Sequence, residues 1–113
     1  MALRMQDAQN GYLVILIPQG AKGGTHGLYL LKRVNGSENT LAASRGSLPG
    51  TGQWATLAVE AGGNRIQVSL KGKRLIDHSD AAAPGFAAGK IGLRIYGLAE
   101  APCHASFRNA RVQ

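Results

Sequence analysis

The feature that most constrains this chain is an alternation of apolar and polar residues that stops at glycine-containing pairs. In the segment NRIQVSLKGKRLID, residues 64–77, Ile66, Val68 and Leu70 share one parity, and a Lys71-Gly72 pair follows at once. Period-two alternation places apolar side chains on one face of a strand, and a glycine-containing pair allows the positive φ of a tight hairpin turn. The segment therefore predicts two antiparallel strands joined by a hairpin.

The same pattern extends along most of the chain, and no segment shows the 3.6-residue period of an amphipathic helix. Pairs that favour tight turns separate successive alternating segments at Asn10-Gly11, Asn35-Gly36, Gly62-Gly63 and Lys71-Gly72. Closely spaced turns predict about eight short strands, joined mainly by hairpins. We expect a single domain over residues 1–113, folded as an all-β antiparallel two-sheet sandwich of the jelly-roll kind.

The parity of the apolar positions predicts which side chains lie between the two sheets. A core of this kind is filled by the inward-facing residues of both sheets, and this chain is long enough to build one. The expected core residues are Leu3, Val14, Leu30, Leu57, Val59, Ile66, Val68, Leu70, Ile91, Leu93 and Phe107.

One strand departs from the alternation. Residues 12–17, YLVILI, are apolar or aromatic throughout, so both faces of this strand must be covered. Since Val14 faces the core, we predict that Leu13, Ile15 and Ile17 form the interface of a homodimer or higher oligomer. The alternative is that further strands of a longer protein cover this face.

The chain is basic, with 13 Lys and Arg against 6 Asp and Glu, a net charge of +7. Such a balance suggests a polyanion partner, either nucleic acid or an acidic polysaccharide. The charges are scattered singly along the sequence except for Lys71, Lys73 and Arg74. Scattered charge is typical of a solvated surface, so a basic nucleic-acid-binding domain is the less favoured interpretation. No apolar run reaches the length of a membrane span, and no membrane partner is expected.

Few residues suggest a cofactor or a metal. The three histidines, His26, His78 and His104, are far apart and show no ligand spacing, so we predict no metal and no cofactor. The single cysteine, Cys103, excludes an intrachain disulfide. No nucleophile elbow and no phosphate-binding loop is present either.

Several segments, taken in order, resemble a known family. Trp54 opens a strand, a Gly63-Asn64 turn follows, Lys71-Gly72 stands where the family has an Asn-Gly hairpin, and Gly89 precedes the strand KIGLRIYG. This order resembles the second half of a concanavalin A-like lectin/glucanase domain. The closest branch is the 3-keto-disaccharide hydrolase domain, which is similar to family 16 glycoside hydrolases. Whole domains of that kind are longer, so we expect the N-terminal strands to be lacking here.

The resemblance implies a sugar-active scaffold, although the residues that would perform chemistry differ. In that branch the strand after the Gly-Tyr pair carries acidic and amide side chains, and the matching positions here are Leu13, Ile15 and Ile17. Aliphatic side chains cannot transfer protons, and Asp77 and Asp80 are interpreted as turn-capping residues. We therefore favour a protein that is not an enzyme. A glycoside-active hydrolase of the same branch is the alternative.

The favoured function is a non-catalytic binding or assembly module on a concanavalin A-like scaffold, with carbohydrate as the ligand class that the resemblance implies. Arginine and tyrosine on the polar parity of neighbouring strands suit such a ligand. The candidate carbohydrate-binding residues are Arg4, Tyr29, Arg94 and Tyr96. Trp54 is interpreted as a packing residue. The resemblance suggests an extracytoplasmic location, which the sequence itself leaves open.

Overall fold

The computed structural model describes residues 1–18, 26–46, 48–50, 53–82, 85–86 and 89–92. Within these residues the chain forms eight β-strands and no helix. The strands are β1 (Ala2–Asp7), β2 (Asn10–Ile17), β3 (Gly27–Val34), β4 (Ser37–Ser44), β5 (Leu57–Gly62), β6 (Arg65–Leu70), β7 (Lys73–Ser79) and β8 (Lys90–Gly92).

The strands form two sheets that face each other. One sheet has five strands in the order β4-β3-β2-β1-β8, and the other has three in the order β5-β6-β7. Every pairing is antiparallel. The predicted all-β two-sheet sandwich is therefore confirmed for the part of the chain that the structure describes.

The core lies between the sheets and is built mainly from β2, β3 and β6, each of which has a neighbouring strand on both sides. Its buried members are Leu3, Tyr12, Val14, Leu28, Leu30, Leu48, Ile66, Val68, Leu70 and Ile76. Burying an apolar side chain of this size stabilises a fold by about 1.5–3 kcal/mol. These contacts are therefore what holds the two sheets together.

Most of the predicted core is confirmed. The six predicted residues that are fully buried are Leu3, Val14, Leu30, Ile66, Val68 and Leu70. Leu57 and Val59 pack against the core but stay half-buried, because β5 is an edge strand and one side of it is open. The side chain of Ile91 and the residues Leu93 and Phe107 lie outside the described part of the chain.

Two predicted turns are found in place and one is shifted. Asn35 and Gly36 have φ values of 51° and 83°, and Lys71 and Gly72 have 54° and 79°. Positive φ at both central residues is the type I′ geometry that matches the twist of a hairpin. In the β5–β6 hairpin the central residues are Gly63 and Asn64, and Gly62 ends β5. This turn comes one residue later than the alternation predicted, at the position that the family resemblance gave it.

The predicted Asn10-Gly11 turn is wrong, because the β1–β2 hairpin turns at Ala8 and Gln9 instead. The carboxylate of Asp7 closes this turn, accepting hydrogen bonds from the Gln9 amide at 2.7 Å and from Asn10 Nδ2 at 3.0 Å. A side chain that caps the turn in this way replaces the glycine that sequence reasoning looks for.

Candidate functional site

A buried group of polar side chains joins the two sheets. Tyr12 and Lys32 lie opposite each other on β2 and β3, and Asp80 directly follows β7 in the other sheet. Lys32 Nζ lies 2.6 Å from Asp80 Oδ2, and the Tyr12 hydroxyl donates to the same oxygen over 2.7 Å. Lys32 and Asp80 are each only 5% exposed. An ion pair therefore sits inside the sandwich, and we call these three residues the buried cluster.

The segment that follows β7 supplies further hydrogen bonds to the buried cluster. Lys32 Nζ donates to the Ala82 carbonyl at 2.9 Å, and the Ala82 amide donates to Asp80 Oδ1 at 3.3 Å. The Phe86 ring meets the Tyr12 ring edge-on, with centroids 5.7 Å apart. Among the described residues no buried side-chain nitrogen or oxygen lacks a partner. A buried ion pair is stable only when it is satisfied in this way.

The environment fixes the protonation of the buried cluster. Burial, together with the hydrogen bond to the Asp80 carboxylate, raises the pKa of Tyr12 to about 12. Burial alone would raise the pKa of Asp80, but hydrogen bonds from Lys32 and Tyr12 outweigh it and lower that pKa below its usual value. At neutral pH the Tyr12 hydroxyl is thus protonated and donates a hydrogen bond, and Asp80 is an anion. Neither is set to exchange a proton.

Arg4 connects β1 to the other sheet. Its φ is 50°, which is unusual for a residue other than glycine, and the β1–β2 register shifts between Leu3 and Asp7. Its Nη1 donates to the Gly63 carbonyl at 2.6 Å and to the Phe86 carbonyl at 3.2 Å. A β-bulge thus directs this guanidinium towards the β5–β6 turn and towards Phe86, whose ring packs against Tyr12.

Two glycines enclose the bulge at Arg4. A Cβ atom on Gly11 would come within 3.0 Å of Met5, and one on Gly89 would come within 3.0 Å of the backbone of Arg4 and Met5. Both glycines have a φ of 154°. Gly11 is therefore needed for close approach to β1, and not for the turn that the sequence suggested.

The four predicted carbohydrate-binding residues do not form one group in the described structure. Tyr29 lies on the face of β3 opposite the core, with its ring against Gly27. Arg4 is directed towards the other sheet, so the structure does not bring it together with Tyr29. Arg94 and Tyr96 lie outside the described residues.

The predicted oligomer interface is partly covered within a single chain. Leu13 is 2% exposed and lies opposite Leu31 on β3 and Ala2 on β1. Ile15 and Ile17 are half-buried. Only these last two residues of the predicted set retain surface that a second copy could bury.

The face of the three-stranded sheet that points away from the core is polar. We call it the outer face and define it by Ala58, Glu60, Arg65, Gln67, Ser69 and Asp77. Arg65 Nε donates to Asp77 Oδ1 at 2.8 Å, its Nη2 donates to Oδ2 at 2.5 Å, and Gln67 Nε2 donates to Oδ2 at 3.2 Å. These hydrogen bonds lower the pKa of Asp77 to about 2. Next to this group lies a shallow depression of about 250 Å³, bordered by Glu60, Ala61 and Gly62.

Neither aspartate has only the turn-capping role expected from the sequence. Asp77 lies within β7 and pairs with Arg65, because cross-strand neighbours on one face of a sheet are close enough to bond. Asp80 Oδ1 does accept a hydrogen bond from the Ala82 amide, as a capping residue would. Its other oxygen, Oδ2, belongs to the ion pair with Lys32.

Trp54 is 53% exposed, so its interpretation as a packing residue is wrong. The Lys71 amide donates to the Thr56 carbonyl at 3.0 Å, which continues the β5–β6 pairing beyond Leu57. From Trp54 to Glu60 the even-numbered residues are exposed and the odd-numbered ones half-buried. This alternation places Trp54 on the outer face, at the end next to the β6–β7 turn.

Sequence reasoning did not single out Lys32, although a signal was present. Lys32 shares its parity with Leu28 and Leu30, which are both fully buried. A charged residue at the parity of buried apolar residues is itself expected to be buried, and a buried charge requires a partner of opposite charge.

The part of the chain that the structure describes holds neither a metal-binding cluster nor a membrane-crossing helix. In the described ranges no three His, Cys, Asp or Glu side chains lie close enough to share a metal ion. Over the same ranges no helix has the length and apolar character needed to cross a membrane.

The two antiparallel sheets define the class of this scaffold as an all-β sandwich of the jelly-roll kind. The model of the 3-keto-alpha-glucoside-1,2-lyase-like domain matches residues 2–113, and the chain belongs to this family. The resemblance inferred from the sequence is thereby confirmed. No curated protein and no solved structure shows a significant match.

Proposed function

We propose that this domain is a non-catalytic carbohydrate-binding module of its family. The observation that carries the proposal is that four of the five acidic residues that the structure describes are held by other parts of the chain. Those four are Asp7 in the β1–β2 turn, Glu38 with Arg33, Asp77 with Arg65 and Asp80 with Lys32. Glu60, beside the shallow depression, is the fifth.

Chemistry on a glycosidic bond needs groups that change protonation near neutral pH. Three of the described groups have pKa values shifted away from neutral pH. The pKa of Asp77 and of Asp80 is lowered, and that of Tyr12 is raised to about 12. Such shifts favour fixed contacts over proton transfer, which supports a binding role for the domain.

Two surfaces support carbohydrate as the ligand class, together with the family to which the chain belongs. Tyr29 offers an aromatic ring on the five-stranded sheet, and we retain it, with Arg94 and Tyr96, as proposed sugar contacts. The outer face of the other sheet offers planar amide, carboxylate and guanidinium groups on Gln67, Asp77 and Arg65. Groups of this kind form directional hydrogen bonds with hydroxyls, and aromatic rings offer an amphipathic surface.

A glycan array followed by calorimetry tests the proposal, alongside an assay with a 3-keto-disaccharide. We expect binding of at least one glycan class and no turnover. Turnover that is abolished by Asp77→Asn, Asp80→Asn or Glu60→Gln would contradict a non-catalytic role. Failure to bind any glycan would contradict the carbohydrate assignment itself.

A further inference from the structure

We propose that Trp54 and the β6–β7 hairpin tip form a binding surface for a linear carboxylated polysaccharide, a polyuronide. We define the basic tip as Lys71, Lys73 and Arg74. The proposal rests on the proposed carbohydrate-binding function and assigns it a surface and a ligand charge.

The basic tip carries positive charge that the described structure does not neutralise. Its three residues are all exposed. The ion pairs among the described residues involve Lys32, Arg33 and Arg65 and none of the tip. Arg74 lies close enough to Asp77 to contribute to the lowering of that pKa, which places it beside the outer face. Positive charge at one end of this face attracts an anion.

Trp54 lies beside the basic tip. The hydrogen bond from the Lys71 amide to the Thr56 carbonyl holds the two segments side by side. Trp54 is two residues before Thr56, a distance of about 7 Å in an extended chain. The indole is 53% exposed, and an exposed large ring at the edge of a polar sheet face offers a flat surface for a sugar ring.

The rest of the outer face favours a sugar over a nucleic acid. Glu60 and Asp77 place carboxylates along the same face, and a phosphate backbone offers these acceptors no hydroxyl donors. The same carboxylates and the Gln67 amide can bond to hydroxyl groups. A ligand that combines hydroxyls with spaced carboxylates matches both the basic tip and the face beyond it. A polyuronide has this composition.

The chain has a single tryptophan, so its fluorescence reports directly on this surface. We would titrate the whole domain with oligogalacturonate, with neutral cello-oligosaccharides and with single-stranded DNA. We expect a blue shift with oligogalacturonate, weaker binding as salt rises, and weaker or no response to the other two probes. A tighter response to DNA than to oligogalacturonate would overturn the proposal.

Variants locate the site by calorimetry. Trp54→Ala, and the combination Lys71→Asn, Lys73→Gln and Arg74→Gln, should each weaken oligogalacturonate binding about tenfold or more. Asparagine is chosen at Lys71 because the φ there is 54°. Arg74→Gln is also tested alone, and Arg45→Gln is its matched control, since both arginines are exposed; Arg45→Gln should leave affinity unchanged.

The outcomes separate the two proposals. If oligogalacturonate binds equally well to the wild type, to Trp54→Ala and to the tip variant, this surface is not the site, while the carbohydrate-binding function stands. If only neutral glycans bind, the assigned ligand charge is wrong. If no glycan binds, both proposals fail.

Discussion

Lys32 occupies a position where the alternation of its strand would place an apolar residue. Its parity could have been read from the sequence, because Leu28 and Leu30 precede it at the same parity of β3. Its partners could not. Tyr12 and Asp80 are 68 residues apart in the chain, and nothing in local periodicity pairs two strands of different sheets. The buried cluster is therefore a product of the tertiary fold that residue patterns indicate only in part.

Removing one member of the ion pair should destabilise the domain strongly. Lys32→Met leaves the Asp80 carboxylate buried without its cation, and such losses amount to about 3–5 kcal/mol. Urea unfolding should show this loss, whereas Lys73→Met, at an exposed position, should change stability by less than about 0.5 kcal/mol. The double variant Lys32→Met, Asp80→Asn should recover part of the loss. Equal stabilities for Lys32→Met and Lys73→Met would refute the account.

The buried cluster should also be visible in the alkaline titration of the domain. Because the pKa of Tyr12 is raised to about 12, the neutral hydroxyl is the favoured form. The stability it contributes is complete below the usual value of 10 and is lost as pH rises through about 12. Phenolate absorbance of the wild type and of Tyr12→Phe should therefore diverge only near pH 12. Circular dichroism of the same samples separates ionisation from unfolding, and divergence already at pH 10 would contradict the burial of this hydroxyl.

At the scale of strands and turns, sequence patterns were most informative where a turn relies on backbone conformation. Asn35-Gly36 and Lys71-Gly72 were found in place because positive φ restricts which residues can occupy them. The β1–β2 turn was misplaced because a carboxylate, Asp7, closes it. A glycine near a turn then suggested the wrong position, since Gly11 serves the packing of β2 on β1.

The bulge in β1 leads to a comparison of three glycine variants. Gly11→Ala and Gly89→Ala each place a Cβ within 3.0 Å of β1, at a φ of 154°. We expect each to destabilise the domain by about 1–3 kcal/mol. Gly62→Ala is the control, because a Cβ there meets nothing within 4 Å, and it should be neutral or slightly stabilising. Thermal unfolding of the three variants measures the difference. If all three melt alike, the bulge is not tightly enclosed.

For the whole molecule, alternation predicted a two-sheet sandwich but not the membership of each sheet. The five-stranded sheet places β8 next to β1, at opposite ends of the described sequence, and such a pairing has no local signal. The same limit applies to surfaces. Only the assignment of β5 to the three-stranded sheet shows that Trp54 shares a face with Arg65 and Asp77, and so adjoins the basic tip.

We also propose that the domain associates with itself through the outward side of β2, and the structure limits the strength of that association. Leu13 is already buried, so Ile15 and Ile17 are the residues of the predicted set whose apolar surface an interface could still bury. Burying the remaining half of both in each of two copies would contribute roughly 3–6 kcal/mol. Association costs about 4–15 kcal/mol, so neighbours such as Leu31 must contribute as well. The expected dimer is weak.

The net charge of +7 makes this weak association sensitive to salt. Two copies with the same charge repel each other, and added salt screens the repulsion, so self-association should strengthen as polyuronide binding weakens. Sedimentation velocity up to about 1 mM protein, at low and high salt, measures this. Ile15→Asp should keep the chain monomeric, whereas Ala58→Asp, which adds the same charge to the outer face of the other sheet, should leave association unchanged. A wild type that stays monomeric at high salt would exclude the dimer, and equal effects of the two variants would place its interface elsewhere.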